Sequence, residues 1–202
     1  MPNANYKNYK KARNAAWRTL IACGVDTLPV DLRKICGQLG YELYAYSKAG
    51  PLIAAFRVED QAQASDGFTV VYEGVPRIFY NDAAPIGRQR FTIAHEIGHV
   101  VLGHFDAGRF AIWRRRAPDP DADETQANQF GARLLAPACV LHALDAETPE
   151  EIAQLCGMSI TAAGYRAGRL AQLRGRDRFL IHPLERRVLR QFTPFIQARS
   201  RS

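Results

Sequence analysis

The sequence has few cysteines, no long apolar run and no repeat, and each absence excludes a class of protein. The four cysteines are widely spaced, form no Cys-x-x-Cys pair and show no metal-ligand spacing. No apolar run is long enough to cross a bilayer, and no internal repeat or low-complexity tract is present. Arg18 interrupts the apolar segment near the basic N-terminus, and no small-residue cleavage site follows. We therefore expect a cytoplasmic protein with no membrane partner and with free, mostly buried thiols.

Positive charge is concentrated at the ends of the chain. The 202 residues carry a formal net charge of +7, and residues 166–202 contain ten arginines against Asp177 and Glu185. A basic terminal segment can contact nucleic acid, but it can equally be a solvated surface. The hydrophobic content of 47% allows a substantial core, and the length predicts one domain or one domain with an appendage.

The segment Phe91–His104 contains the motif His-Glu-x-x-His within a helical pattern. Residues four apart on a helix lie about 40° from each other, so His95 and His99 can direct imidazole nitrogens at one ion. Glu96 projects beside that pair, where a carboxylate can act as a general base without being a ligand. The motif therefore predicts two metal ligands and one base, while the alternative is a helix whose histidines only pack.

A third ligand is expected on the next amphipathic helix, which ends before Pro137. Asp121 or Asp123 is the predicted N-cap, and the apolar positions form one buried face: Ala127, Phe130, Gly131, Leu134 and Leu135. Glu124 lies on that face, where a carboxylate is costly unless it is paired or bound to a cation. We therefore predict that Glu124 is the third ligand. The alternative is that it is an exposed acid in the first turn, where the helix dipole favours negative charge. His104, after a predicted helix end at Gly103, is interpreted as a neighbour of the ligands or a structural residue.

The rest of the chain predicts helices and short strands around this motif. Helices are expected at Tyr6–Gly24 and Val30–Leu39, strands at Tyr41–Tyr46 and Leu52–Val58, a hairpin with a four-residue connection at 68–80, and an irregular link at Arg109–Asp123. An edge strand beside the zinc helix would let an extended peptide add by β-augmentation. Residues 148–166 have the spacing of a helix-turn-helix, which we interpret first as a structural element. Residues 174–202 predict partly ordered segments.

The two motifs together resemble the ImmA/IrrE-type metallopeptidases of bacteria and their mobile elements. The resemblance rests on the segment from Arg90 to His104 and on Glu124-x-x-Ala-Asn-x-Phe-Gly-Ala-x-Leu-Leu-Ala-Pro, and it covers roughly residues 10–170. It implies a zincin-like fold with His95, His99 and Glu124 on Zn²⁺ and Glu96 as the base. It also implies a protein substrate, since such enzymes cleave or otherwise inactivate a helix-turn-helix transcriptional repressor.

We therefore predict an α+β fold in which residues 1–145 form a zincin-like metallopeptidase domain with a small mixed or antiparallel sheet and an active-site helix. Residues 146–173 are the predicted helix-turn-helix-like segment packed on that domain, and residues 174–202 are a basic C-terminal extension. Candidates for a further donor to the oxyanion are Tyr80, Arg90 and His104. The alternative function is a DNA-binding or repressor-binding regulator with a structural or vestigial zinc site, with nucleic acid bound through the arginine-rich tail.

Overall fold

The computed structural model describes residues 4–105, 110–112 and 120–199 and has the predicted α+β architecture. The helices in these residues are α1 Ala4–Ala22, α2 Leu32–Leu39, α3 Gly50–Phe56, α4 Glu59–Ala64, α5 Ile86–Leu102, α6 Pro120–Leu135, α7 Ala138–Ala143, α8 Pro149–Cys156, α9 Ile160–Arg174 and α10 Pro183–Arg199. The strands are β1 Glu42–Ala45, β2 Gly67–Tyr72, β3 Val75–Tyr80 and β4 Phe110–Ile112. Of the predicted irregular link, residues 109 and 113–119 lie outside the described residues, while the other parts contain β4 and the start of α6.

The four strands form one small mixed sheet in the order β1-β3-β2-β4. Strand β1 is parallel to β3, and β2 is antiparallel to both β3 and β4. The predicted hairpin is confirmed, but Glu73 and Gly74 alone connect its strands, with φ of 50° and 78°. Positive φ at both central positions matches the right-handed twist of the flanking strands, which is why a two-residue turn closes the hairpin.

The prediction of a strand at Leu52–Val58 is wrong, because Gly50–Phe56 forms helix α3. Pro51 lies in the first turn of α3, where its fixed φ suits a helix and its missing N–H costs nothing. A short apolar run has the same periodicity in a buried strand and in a buried helix. Ile53 packs with Phe68 and Phe79 in a second small core under the sheet, so tertiary packing decided between the two.

The predicted helices near the N-terminus are confirmed as α1 and α2. Asp31 caps α2 by accepting hydrogen bonds from the backbone N–H groups of Arg33 and Lys34 at 3.0 Å each. Gly40 ends the helix with φ of 72°, a left-handed conformation that glycine adopts without a Cβ clash. All four cysteines are free and buried, as expected.

Helices α5 and α6 pack closely because glycines lie between them. A Cβ added to Gly98 would lie 3.0 Å from the ring of Phe130 and 3.3 Å from the Cα of Ala127. A Cβ on Gly131 would lie 3.3 Å from the backbone nitrogen of His95. The predicted face of α6 is buried along its length. Helix α6 begins at Pro120, so Asp121 and Asp123 lie inside it, and the N-cap prediction is wrong.

The C-terminal third of the chain is helical and packs on the same core. Thr148 and Glu151 form a capping box at the start of α8, and Gly157, with φ of 62°, ends that helix before α9. Residues 183–199 form the continuous helix α10 rather than partly ordered segments, because Val188 and Phe192 are fully buried against the core. None of the helices in the described part of the chain combines the length and the apolar character that a bilayer span requires.

Candidate metal centre

The structure brings His95, His99 and Glu124 together at the interface of α5 and α6. Each residue offers one ligand atom, and these atoms all lie within 4.8 Å of one another. The two Nε2 atoms of the histidines are 2.9 Å apart, and the Glu124 carboxylate oxygens lie 3.3 Å from Nε2 of His95 and 3.6 Å from Nε2 of His99. Ligand atoms around a tetrahedral zinc ion lie about 3.3 Å from one another, because each is about 2.0–2.1 Å from the ion. The three side chains therefore fit one zinc-sized cation.

The imidazole of His95 is held by Asn128 on α6. Nδ1 of His95 lies 2.9 Å from Oδ1 of Asn128, and a carbonyl oxygen can only accept a hydrogen bond. Nδ1 therefore carries the proton, which leaves the lone pair of Nε2 directed at the ligand cluster. A metal-binding histidine needs this tautomer.

A second chain of contacts extends from His99 through His104 to Asp123. The Nδ1 atoms of His99 and His104 are 3.0 Å apart, and Nε2 of His104 lies 3.4 Å from Oδ1 of Asp123, without hydrogen-bond alignment. Gly103 ends α5 with φ of 74° and turns the chain so that His104 returns to His99. With Nδ1 of His99 as the donor, its Nε2 carries the lone pair that can bind a cation, so His104 and Asp123 are placed to support a candidate ligand.

The ionisation of the two histidines suits a cation site. Burial, together with the neighbouring His95 and His104, lowers the pKa of His99 to about 2. Burial also opposes the charged form of His95, but Glu124, Glu96 and Asn128 outweigh it and raise the pKa of His95. His99 is therefore a neutral imidazole, the form that binds metal, beside a cluster that attracts positive charge.

Glu96 lies next to this cluster and is itself largely buried. Its side chain is 7% exposed, and its Oε2 accepts a hydrogen bond of 2.7 Å from the Thr69 hydroxyl on β2. Burial raises the pKa of Glu96 above its ordinary value, and the opposing effects of His95 and Thr69 only partly offset this increase. Because one oxygen is fixed by Thr69, the carboxylate has a defined orientation, which a general base needs.

A large cleft opens from Glu96, His95 and Glu124 to the protein surface. Its volume is about 1220 Å³, and residues from four regions line it: the end of α4 with the first half of β2, the first half of α5, Glu124 of α6, and the turn between α8 and α9 with the start of α9. The candidate base and two of the three candidate ligands, His95 and Glu124, therefore line a cleft that is open to a larger molecule, while His99 is buried beside them.

The other two candidate donors, Tyr80 and Arg90, do not line this cleft among the described residues. The Tyr80 hydroxyl accepts a hydrogen bond from Arg33 at 3.2 Å. The guanidinium of Arg90 donates to the carbonyl oxygens of Val30 at 2.8 Å and Cys156 at 3.4 Å. Arg90 therefore joins α5 to α8 and to the segment before α2, and does not point at the ligand cluster.

Thr69, Asn128 and Asp123 belong to the site, but the sequence alone gave them no role in it. Asn128 follows Glu124 by four residues on α6 and so lies on the same helix face, a spacing that could have identified it. Asp123 directly precedes Glu124, and the sequence predicts it only as one of two alternative helix caps, the other being Asp121. Thr69 comes from a strand 27 residues before Glu96, so no local pattern connects the two.

Comparison with known proteins gives one family. The peptidase family described as the IrrE N-terminal-like domain matches residues 47–167, which is more than half of the chain. A search of curated proteins gave no match. The matched region contains α5, α6 and all three ligand residues. This chain therefore belongs to the IrrE N-terminal-like family of metallopeptidases.

Proposed function

We propose that the protein is a zinc-dependent endopeptidase of ImmA/IrrE type that acts in the bacterial cytoplasm on a protein substrate. The observation that carries this proposal is the position of Glu96 beside three candidate ligand atoms that fit one zinc ion, at an open cleft lined by His95, Glu96 and Glu124. The substrate is a helix-turn-helix transcriptional repressor, which is cleaved or otherwise inactivated in a mobile-element or stress-response circuit. This part of the proposal is supported by the family resemblance.

The chemistry divides between the ligands and Glu96. His95, His99 and Glu124 would hold Zn²⁺, which when bound polarises a peptide carbonyl and makes water a stronger nucleophile at neutral pH. Glu96 accepts the proton from the attacking water and returns it to the leaving amine, as a general base and then a general acid. Thr69 keeps the Glu96 carboxylate in place.

The shape of the cleft supports a polypeptide substrate. Sites for small molecules typically enclose about 300–1,000 Å³, and this cleft is larger at 1220 Å³ and continues to the surface. Residues Gly67–Thr69 of β2 line it, so an extended chain would lie along this strand. The edge strands β1 and β4 do not line the cleft among the described residues, and binding by β-augmentation stays a prediction.

The proposal is tested by metal content and cleavage in matched variants. Purified wild type should contain one zinc ion per chain, while Glu124→Ala and His99→Ala should lose it. As controls, Glu150→Ala and His182→Ala remove side chains of the same types at positions away from the site, and both variants should keep the ion. Glu96→Gln should retain zinc but lose cleavage of a protein substrate, because the amide cannot accept the proton.

Two results would contradict the proposal. Zinc that remains in Glu124→Ala would remove the third ligand from our assignment. Cleavage that persists in Glu96→Gln would remove Glu96 from its role as base. Zinc binding without any cleavage, together with salt-dependent binding of duplex DNA, would instead favour a regulator with a structural or vestigial metal site.

A further inference from the structure

The first turns of α9 form a rigid side of the cleft, here named the α9 wall and defined as Met158–Tyr165. A Cβ added to Gly87, in the first turn of α5, would lie 2.7 Å from the backbone nitrogen of Ser159. The two backbones are therefore in direct contact, and only glycine allows this approach. Arg90 adds a hydrogen bond from α5 to the carbonyl oxygen of Cys156 at the end of α8. The α9 wall is thus fixed to the helix that carries His95, Glu96 and His99.

Apolar side chains are exposed along this side of the cleft. Tyr165 is 81% exposed, Ile86 is 70% exposed and Ile160 is 54% exposed. Tyr165 and Ile86 line the cleft, whereas Ile160 is exposed on α9 outside the cleft lining. Among the described residues, the other large apolar side chains with such exposure are Tyr72 and Ile181. A group of exposed apolar side chains at one cleft marks a binding surface more often than scattered ones do.

Charge on α9 argues against nucleic acid as the occupant. In a DNA-binding helix-turn-helix, residues at the start of the second helix contact bases, and basic side chains contact phosphates. All three arginines of α9 are engaged within the protein instead. Arg166 is buried and donates to the carbonyl oxygen of Ala136 at 2.7 Å, Arg169 donates to the Tyr9 hydroxyl at 2.9 Å, and Arg174 pairs with Glu147 at 2.5 Å. The exposed start of α9 carries no cation.

We propose that the α9 wall, together with Ile86, binds an aromatic or aliphatic side chain of the polypeptide that occupies the cleft. This inference rests on the proposed function, because it assigns the cleft to a protein chain. The apolar surface is continuous with the cleft that ends at Glu96, so one extended segment contacts both. The helix-turn-helix-like segment therefore selects the protein substrate, and the selected feature is an apolar side chain at a fixed distance from the reacting bond.

The test measures binding separately from cleavage. A display library of random linear peptides is selected on the full-length Glu96→Gln protein supplied with zinc. Enriched peptides should share an aromatic or aliphatic residue at one position. Their Kd should rise about tenfold or more in Tyr165→Ser and in Ile86→Ser, because an apolar side chain that becomes buried contributes enough for such a change. Tyr165→Phe keeps the ring and should bind as the parent does.

Ile181→Ser is the matched control, since Ile181 is 56% exposed but does not line the cleft. The proposal is overturned if no apolar position is enriched, if Ile181→Ser weakens binding as much as Ile86→Ser, or if Tyr165→Ser weakens binding of duplex DNA and not of peptides. Selected peptides are then added to the zinc-loaded wild type. If peptide binding depends on Tyr165 but no peptide is cleaved, the endopeptidase proposal is rejected and the binding role of the α9 wall is retained. If peptides are cleaved equally well with and without the Tyr165 side chain, the endopeptidase proposal is retained and the binding role is rejected.

Discussion

Oδ1 of Asn128 lies 2.9 Å from Nδ1 of His95, and Asn128 follows the ligand Glu124 by one turn of α6. One face of α6 therefore supplies both a ligand and the group that orients another ligand on α5. The exposed position of Asn128 makes this contact easy to alter without disturbing the core. We therefore expect substitutions of Asn128 to change metal affinity while leaving the packing of the core unchanged.

Asn128→Ala is expected to weaken zinc binding by about 10–100-fold, since loss of such a supporting hydrogen bond releases the imidazole of His95. Asn128→Asp keeps an acceptor at the same position and should restore most of the affinity. Competition with a chelator of known affinity measures both variants. An affinity in Asn128→Ala equal to that of wild type would show that His95 needs no such support.

Gly98→Ala should weaken zinc binding as well, through the packing of α5 on α6. The new methyl group would meet the ring of Phe130 and the backbone of Ala127, neither of which has room to move. Overpacking lowers the free energy of unfolding by about 1–3 kcal/mol. This loss equals or exceeds the gain of about 1 kcal/mol that replacing glycine by alanine gives in a helix. Helix α6 must shift, and Glu124 shifts with it.

Gly37→Ala is the control for that substitution. Gly37 lies in α2, and a Cβ there has nothing within 4 Å. This variant should gain up to about 1 kcal/mol in the free energy of unfolding and leave zinc affinity unchanged. Denaturant unfolding and metal competition on both proteins test the pair, and equal zinc affinity in Gly98→Ala and Gly37→Ala would contradict the packing argument.

Tyr9 should ionise before Tyr41, Tyr44 and Tyr46. Burial raises its pKa, but the guanidiniums of Arg133 and Arg169 outweigh burial and lower the pKa to about 8. Burial raises the pKa of Tyr46 to about 12 and also raises that of Tyr41 and Tyr44. A spectrophotometric titration of phenolate should therefore show one early step, which Tyr9→Phe removes.

The same shift predicts how stability depends on pH. Between about pH 8 and pH 10, Tyr9 is ionised in the folded protein but protonated in the unfolded chain, whose tyrosine pKa is the ordinary 10.0. The unfolded state binds more protons, so stability rises with pH in this window relative to Tyr9→Phe. The lowered pKa of Tyr9 would be refuted if the difference in stability between wild type and Tyr9→Phe stayed constant or fell across this pH window.

The four cysteines should resist thiol reagents in the native protein. Burial raises the pKa of Cys36, Cys139 and Cys156 to about 12 and raises that of Cys23. Only the thiolate reacts, and all four thiols are buried. We expect slow modification at pH 8 and rapid reaction of four thiols after unfolding. Rapid modification of a native thiol would reveal an accessible cysteine that this structure does not contain.

Local sequence spacing was sufficient to predict helix α5, which carries His95 and His99, and helix α6, which carries Glu124. Four-residue spacing places His95 and His99 on one side of α5, because the pitch of a helix fixes which residues share a face. The apolar periodicity of α6 likewise identified its buried face and the unusual position of Glu124 on it. These features depend on residues close together in the chain, and sequence determines them directly.

Tertiary packing decided the features that connect distant segments. The apolar run after Gly50 became helix α3 because of the core it joins, and Arg90 was drawn to Val30 and Cys156 rather than to the cleft. Thr69 meets Glu96, and the start of α9 meets Gly87, only because three-dimensional contacts bring them together. Periodicity states which face of an element is apolar, but it does not state which other element covers that face. For this protein the sequence determined the candidate ligands and the candidate base, and the fold decided which surfaces surround them.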